Sequence, residues 1–293
     1  MLDKEAKMSS HRKKLCFILL VVFISFPNIS KGTDSNELTV SAPLYTDSAG
    51  FVGNIAVKSV FRIICSNKNR MGTGFLHKSG NILTAAHVVS ECEPNDVLII
   101  LPQGLQINVL KIIKDDDMDI AALIPSKKII GDSLPITAKT EIPIGSQVST
   151  WGFPAGYTGI YPMLSVGYLS GQDGVKTDSG KIVGRLVVNA AFNSGNSGGP
   201  LIDVDSGSVI GIVSSKLAPI PQSIEKSLEA LSKVEFGVTW ETTAPDGSKG
   251  KISQSQLLEK ILQYLRSQTQ LVVGRAVLPS QLNNFLKNNN LEN

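Results

Sequence analysis

The chain has 293 residues, 42% of them apolar and 18% charged, an ordinary globular composition that can bury one large core or two modest ones without metals or cross-links. Its formal charge of +3 belongs to the first 32 residues, which hold six Lys/Arg against two Asp/Glu; the remaining 22 basic and 23 acidic side chains leave a net of −1. A nearly neutral chain gives no electrostatic argument for a nucleic-acid partner.

In chain order, "HRKK" at 11–14 precedes the apolar run "LCFILLVVFISF" at 15–26 and the breaker pair Pro27-Asn28. This charge, apolar, polar order predicts a secretory signal peptide over residues 1–32, cleaved near Gly32, because the run is short for a spanning helix; an uncleaved membrane tether is the alternative. Cys16 leaves with that segment. Cys65 and Cys92 remain, an even pair that in an exported protein permits one disulfide, with two buried free thiols as the other reading. Residues 33–54 form an N-terminal segment.

From Val57 to about Val213 the chain reads as short Val- and Ile-rich segments between Gly, Pro, Asn and Asp turns, the regular spacing of an all-β barrel or sandwich. Ser79–Asn81 and Asp205–Ser208 look like hairpin turns. Beyond Ser215 the periodicity becomes helical: Ile224, Leu228 and Leu231, then Leu257, Leu258, Ile261, Leu262 and Leu265. A polar loop, "TTAPDGSKG", separates the two runs. The helical segment spans 217–270 and is read as packing on its own apolar face, with a lid over a cleft as the sharper alternative. "LVVGRAVLP" returns to strand character, and a closing helix follows Pro279 with Ser280 as its N-cap.

The stretch "FNSGNSGGPL" at 192–201 surrounds Ser197 with glycines, which suits either a turn or a nucleophile. A serine nucleophile needs a histidine base oriented by a carboxylate. Of three histidines, His11 is in the removable segment and His77, in "LHKSGN", is read as an exposed hairpin residue. His87, at the end of the strand "NILTAAHVV", is the base that remains. Asp119 leads directly into an apolar strand, whereas Asp115, Asp116 and Asp117 read as a solvated turn. The order His87, Asp119, Ser197 excludes the α/β-hydrolase elbow, whose histidine follows the serine.

"TAAHVV", "DIAAL" and "GNSGGPL" together resemble the three catalytic blocks of chymotrypsin-fold serine proteases, most closely the HtrA/DegP branch. The resemblance covers about residues 55–215 and 271–286. It implies an all-β fold of two six-stranded antiparallel barrels in a protease domain over 55–293, with the 217–270 segment inserted and a C-terminal helix. It implies catalytic roles for His87, Asp119 and Ser197, and an oxyanion hole from the N–H groups of Gly195 and Ser197. The substrate pocket would be lined by Ala191, Phe192, Ser214, Ser215 and Gly274; with no acidic residue at its floor, small or medium apolar P1 residues are expected. Asn196 stands where zymogen-activated members keep an aspartate, which speaks against activation by a freed N-terminus. About twenty residues after the last strand leave no room for the PDZ domain of HtrA proteins. The implied protein is an exported endopeptidase acting on proteins or peptides, secreted or periplasmic, without cofactor or metal, and an oligomer is compatible with the family. A catalytically silent, chaperone-like binder on the same fold is the rival reading.

Overall fold

A computed structural model describes residues 37–40, 50–216, 222–233, 236–243, 248–268 and 273–292. The expected signal peptide and cleavage site, with most of the N-terminal segment, lie outside the described residues. No helix among the described residues is long and apolar enough to cross a membrane.

Two closed barrels of six strands each carry the fold. After β1 (Glu37–Thr39) and α1 (Gly50–Ser59), the first barrel comprises β2 (Val60–Cys65), β3 (Arg70–Leu76), β4 (Ile82–Thr84), β5 (Val97–Ile100), β6 (Gln106–Asp115) and β7 (Ile120–Pro125), closed in the order β2-β3-β4-β7-β6-β5. β8 (Lys128–Ile130) pairs in parallel with β1 outside it. The second barrel comprises β9 (Gln147–Gly152), β10 (Met163–Lys176), β11 (Ile182–Asn189), β12 (Pro200–Asp203), β13 (Val209–Lys216) and β16 (Gly274–Val277), in the order β10-β11-β16-β13-β12-β9. Between β13 and β16 the chain adds α2 (Gln222–Lys233), β14 (Thr239–Thr243), β15 (Lys249–Ser253) and α3 (Gln254–Gln268); α4 (Pro279–Asn288) follows β16. This is the chymotrypsin-like architecture.

Alternation explains the strands. In β6, Ile107 and Val109 point inward between exposed Gln106, Asn108 and Leu110, because successive side chains take opposite faces. Phe61, Ile63 and Phe75 fill the first core; Val148, Leu186 and Leu201 belong to the second. Cys65 and Cys92 are joined by a disulfide that ties the end of β2 to the segment after His87.

Four local expectations change. Val57–Ser59 belongs to α1 and not to the following strand, so a helix crosses the expected 54/55 boundary. His87 lies in a 3-10 turn (Ala86–Val88) after β4, which ends at Thr84. The polar loop in the insertion is the middle of a hairpin, β14 paired with β15; residues 244–247 lie outside the described residues. In α4, Pro279 occupies the first helical position and Leu278 the cap, because proline's fixed φ suits that place, so Ser280 lies inside the helix.

Candidate active site

The loop entering β7 brings Asp119 to the 3-10 turn after β4. Asp119 has φ +58°, a left-handed conformation that aspartate tolerates better than bulkier residues. Its carboxylate accepts from the His87 backbone N–H at 3.0 Å and lies 3.0 Å from His87 Nδ1 through either oxygen. A carboxylate only accepts, so Nδ1 carries a proton, and in the neutral ring that leaves Nε2 as the acceptor. Ser214 adds a short hydrogen bond from its Oγ to Asp119 Oδ2. A register shift in β13 between Val213 and Ser215 lifts Ser214 out of the ladder, the way bulges re-aim a side chain. Burial alone would push the Asp119 carboxyl up; the hydrogen bonds and charge of His87, with the Ser214 hydroxyl, outweigh it and hold the pKa below the usual value. Arg70 fixes the histidine's backbone, donating to the carbonyls of His87 at 2.8 Å and Ser90 at 2.9 Å.

Ser197 reaches the same place from the second barrel. Its Oγ donates to the Ser214 carbonyl at 3.2 Å. His87, Phe192, Asn193, Ser194, Ser197, Val213 and Ser214 line one cavity of about 200 Å³. Gly195, at φ +93°, turns so closely under the neighbouring loop that a Cβ would lie 2.3 Å from the Phe153 carbonyl; no other residue fits. The Ser194 carbonyl is taken by the Ala155 N–H at 2.6 Å. In a planar trans peptide the N–H points opposite the C=O, so the Gly195 N–H faces away from Ala155. Among the described residues, no backbone hydrogen bond engages the N–H of Gly195 or Ser197. Asn196 is buried, and its Nδ2 donates to the Ala191 carbonyl at 3.1 Å, closing the loop from inside with a neutral group.

The expected pocket residues divide. Phe192 and Ser214 are on the cavity wall. Gly274 is behind it: a Cβ there would strike the Phe192 ring at 2.1 Å, so the glycine makes room for the phenyl group, which is 1% exposed. Ala191 is half-buried and off the wall, and the Ser215 side chain lies outside the described residues.

His77 is a correction. It is buried, at 3% exposure, with Nδ1 accepting from the backbone N–H of Ser79 at 3.3 Å and 2.9 Å from its Oγ. Burial, with Lys78 nearby, pushes its pKa down to about 4. A histidine next to lysine at a turn gives no sequence signal for this, since β8 and α4 reach the hairpin from distant segments.

Arg185, on β11, is a site residue that sequence reasoning missed. It is buried, and its guanidinium crosses to the first barrel to donate to the carbonyls of Asp117 (3.3 Å) and Met118 (3.2 Å), the two residues before Asp119. Burial lowers its pKa, countered in part by Asp119. Gln281 of α4 braces it by accepting from Nη1 at 3.2 Å. Lys181, in the β10–β11 turn, pairs with Asp117 at 2.7 Å, and that hydrogen bond is the main reason the carboxyl falls to about 2.

Residues 72–212 match the family model of the trypsin-like peptidase domain. The serine protease Do-like HtrA of Lactobacillus helveticus is 28% identical over 198 residues, 65% of this chain and 46% of that protein. A protein of Rhizobium meliloti named "Probable periplasmic serine endoprotease DegP-like" is 29% identical over 168 residues, 54% of this chain and 32% of that one. The chain thus spans less than half the length of either relative. Among solved structures, the Rv3671c protease of M. tuberculosis in an inactive form shares the fold, with a TM-score of 0.54 at 18% identity over 85% of this chain and 98% of that one.

Proposed function

We propose that this chain, which carries a chymotrypsin-fold, HtrA-like trypsin-like peptidase domain, is an exported serine endopeptidase working through Ser197, His87 and Asp119. The observation that carries the reading is the set of bonds joining His87, Asp119 and Ser214 beside a cavity that also holds Ser197. A turn about the Cα–Cβ bond of Ser197 moves its hydroxyl from the Ser214 carbonyl toward His87 Nε2, whose free lone pair takes the proton as Oγ attacks the scissile carbonyl. Asp119 keeps Nδ1 protonated and stabilises the imidazolium. The negative oxygen of the tetrahedral intermediate is received by the N–H groups of Gly195 and Ser197, each worth about 3 kcal/mol in systems of this kind. His87 then gives its proton to the leaving amine, and water, activated by the same histidine, hydrolyses the acyl-enzyme.

A cavity of about 200 Å³ walled by Phe192, with no acidic lining residue, suits a small apolar P1 side chain and disfavours Arg or Lys. The disulfide between Cys65 and Cys92 supports export, since such bonds persist in oxidising compartments. The Ser197 hydroxyl's bond to the Ser214 carbonyl is the one observation that favours a silent binder instead.

Labelling the full chain with a fluorophosphonate separates the two. The expected result is a single adduct mapped to Ser197 and absent from Ser197→Ala; folded protein that takes no label removes the endopeptidase reading.

A further inference from the structure

Thr73 sits in β3 of the first barrel and is fully buried, yet its N–H and hydroxyl are spent on the second barrel. Its N–H donates to the Ser197 carbonyl at 2.8 Å. Its hydroxyl donates to the Gly195 carbonyl at 2.6 Å and accepts from the Phe153 N–H at 3.1 Å. Its own carbonyl accepts from Thr84 Oγ1 at 2.7 Å, which fixes β3 against β4. One side chain therefore clamps two loops, the one carrying Ser197 and the one after β9.

Those two loops determine where the Gly195 N–H points. The peptide before Gly195 is held by the Ala155 N–H on the Ser194 carbonyl, and Ala155 lies two residues beyond the Phe153 that Thr73 accepts from. The peptide after Gly195 is held by Thr73 itself through the Gly195 carbonyl. With both flanking planes pinned, a glycine at φ +93° has no freedom to rotate its N–H.

We infer that the Thr73 hydroxyl is the positioning group of the oxyanion hole, acting through the loops it clamps and not by touching substrate. The inference rests on the endopeptidase reading above. It assigns to the first barrel, otherwise the source of the base and the carboxylate, a share in stabilising the transition state.

The test compares three substitutions in the full chain, Thr73→Val, Thr73→Cys and Thr73→Ser, on a short peptide p-nitroanilide with valine at P1, with the thermal midpoint of each recorded. Valine keeps the shape and removes the hydroxyl; serine keeps the hydroxyl and removes the methyl; cysteine keeps only a weak donor. Because the oxyanion exists only in the transition state, losing its alignment lowers kcat and leaves KM nearly unchanged. Misaligning one oxyanion donor is expected to cost Thr73→Val about 30- to 300-fold in kcat, with KM within about twofold. Thr73→Ser stays within about threefold of wild type, and Thr73→Cys falls between. A wild-type kcat in Thr73→Val, a loss in Thr73→Ser as large as in Thr73→Val, or a loss carried by KM overturns the inference. Should Thr73→Val fail to fold, equal kcat in the serine and cysteine variants overturns it instead. Wild-type protein that takes no fluorophosphonate at Ser197 brings down the endopeptidase reading and this inference together. Labelled wild type with an unimpaired valine variant removes this inference alone.

Discussion

At the seam between the barrels Thr73 and Arg185 are buried and partnered across it, whereas in the insertion apolar groups stand in solvent. Arg62 on β2 donates to the carbonyls of Tyr157 and Gly159 at 3.3 and 2.9 Å and lies 4.8 Å over the Phe153 ring; Thr73 and Arg185 make the crossings already described. In the insertion, Phe236 is 72% exposed, and Ile261 and Leu265 of α3 are about half exposed. A charged pair within it, Lys233 with Glu229 at 2.5 Å, is a local i,i+4 contact of small energetic worth. Directional bonds hold the two barrels to each other at the seam. The insertion follows local helix and hairpin rules, and among the described residues it contributes to none of those crossings.

Four experiments break or sharpen this contrast. Ser197→Ala should lower cleavage of the valine p-nitroanilide by at least about a thousandfold while moving the thermal midpoint little, because on the proposed mechanism only the nucleophile is lost. Unchanged cleavage by that variant places the chemistry elsewhere than the seam.

Arg185→Met removes the donors that hold the Asp117 and Met118 carbonyls, and denaturant unfolding should show a loss of about 2–4 kcal/mol, with kcat down about tenfold as the Asp119 loop loosens. Lysine should not recover it, since one ammonium cannot span carbonyls and Gln281 as a guanidinium does. Wild-type stability and activity in Arg185→Met would make the crossing ornamental.

The third test is pH. With its folded pKa lowered to about 4, His77 binds fewer protons folded than unfolded between about pH 4 and 6.5. Its contribution is therefore whole above pH 6.5 and is lost as pH falls toward 4. Asp119, also lowered, keeps its contribution above the ordinary aspartate range and loses it only as pH falls through its folded pKa. Unfolding followed from pH 7 to 4 should show the slope in wild type and a flatter one in His77→Asn; identical slopes would mean another group carries it.

The smallest effect belongs to the insertion. Ile261→Ser and Leu265→Ser should each change unfolding free energy by less than about 0.5 kcal/mol, as exposed positions do. A loss above 2 kcal/mol from either would show that this face is packed after all, and the contrast would fail.

The blocks around His87, Asp119 and Ser197, which the structure brings together, were legible because each is a short string of residues contiguous in sequence. Barrel strands were legible through alternation, as in β6. Thr73 was not: a threonine within "MGTGF" reads as an ordinary β-branched strand residue, and its importance lies in the loop it meets more than a hundred residues away. Arg185 was hidden for the same reason, as a lone charge in an apolar strand. The β14–β15 hairpin escaped because its strands, "TWETT" and "KGKIS", are largely exposed and lack an apolar face to alternate.

Strand β16 is made after the whole insertion, yet its place is between β11 and β13, and its Gly274 seats the ring of Phe192. A growing chain therefore displays Ser197 well before the barrel that shapes its surroundings can close.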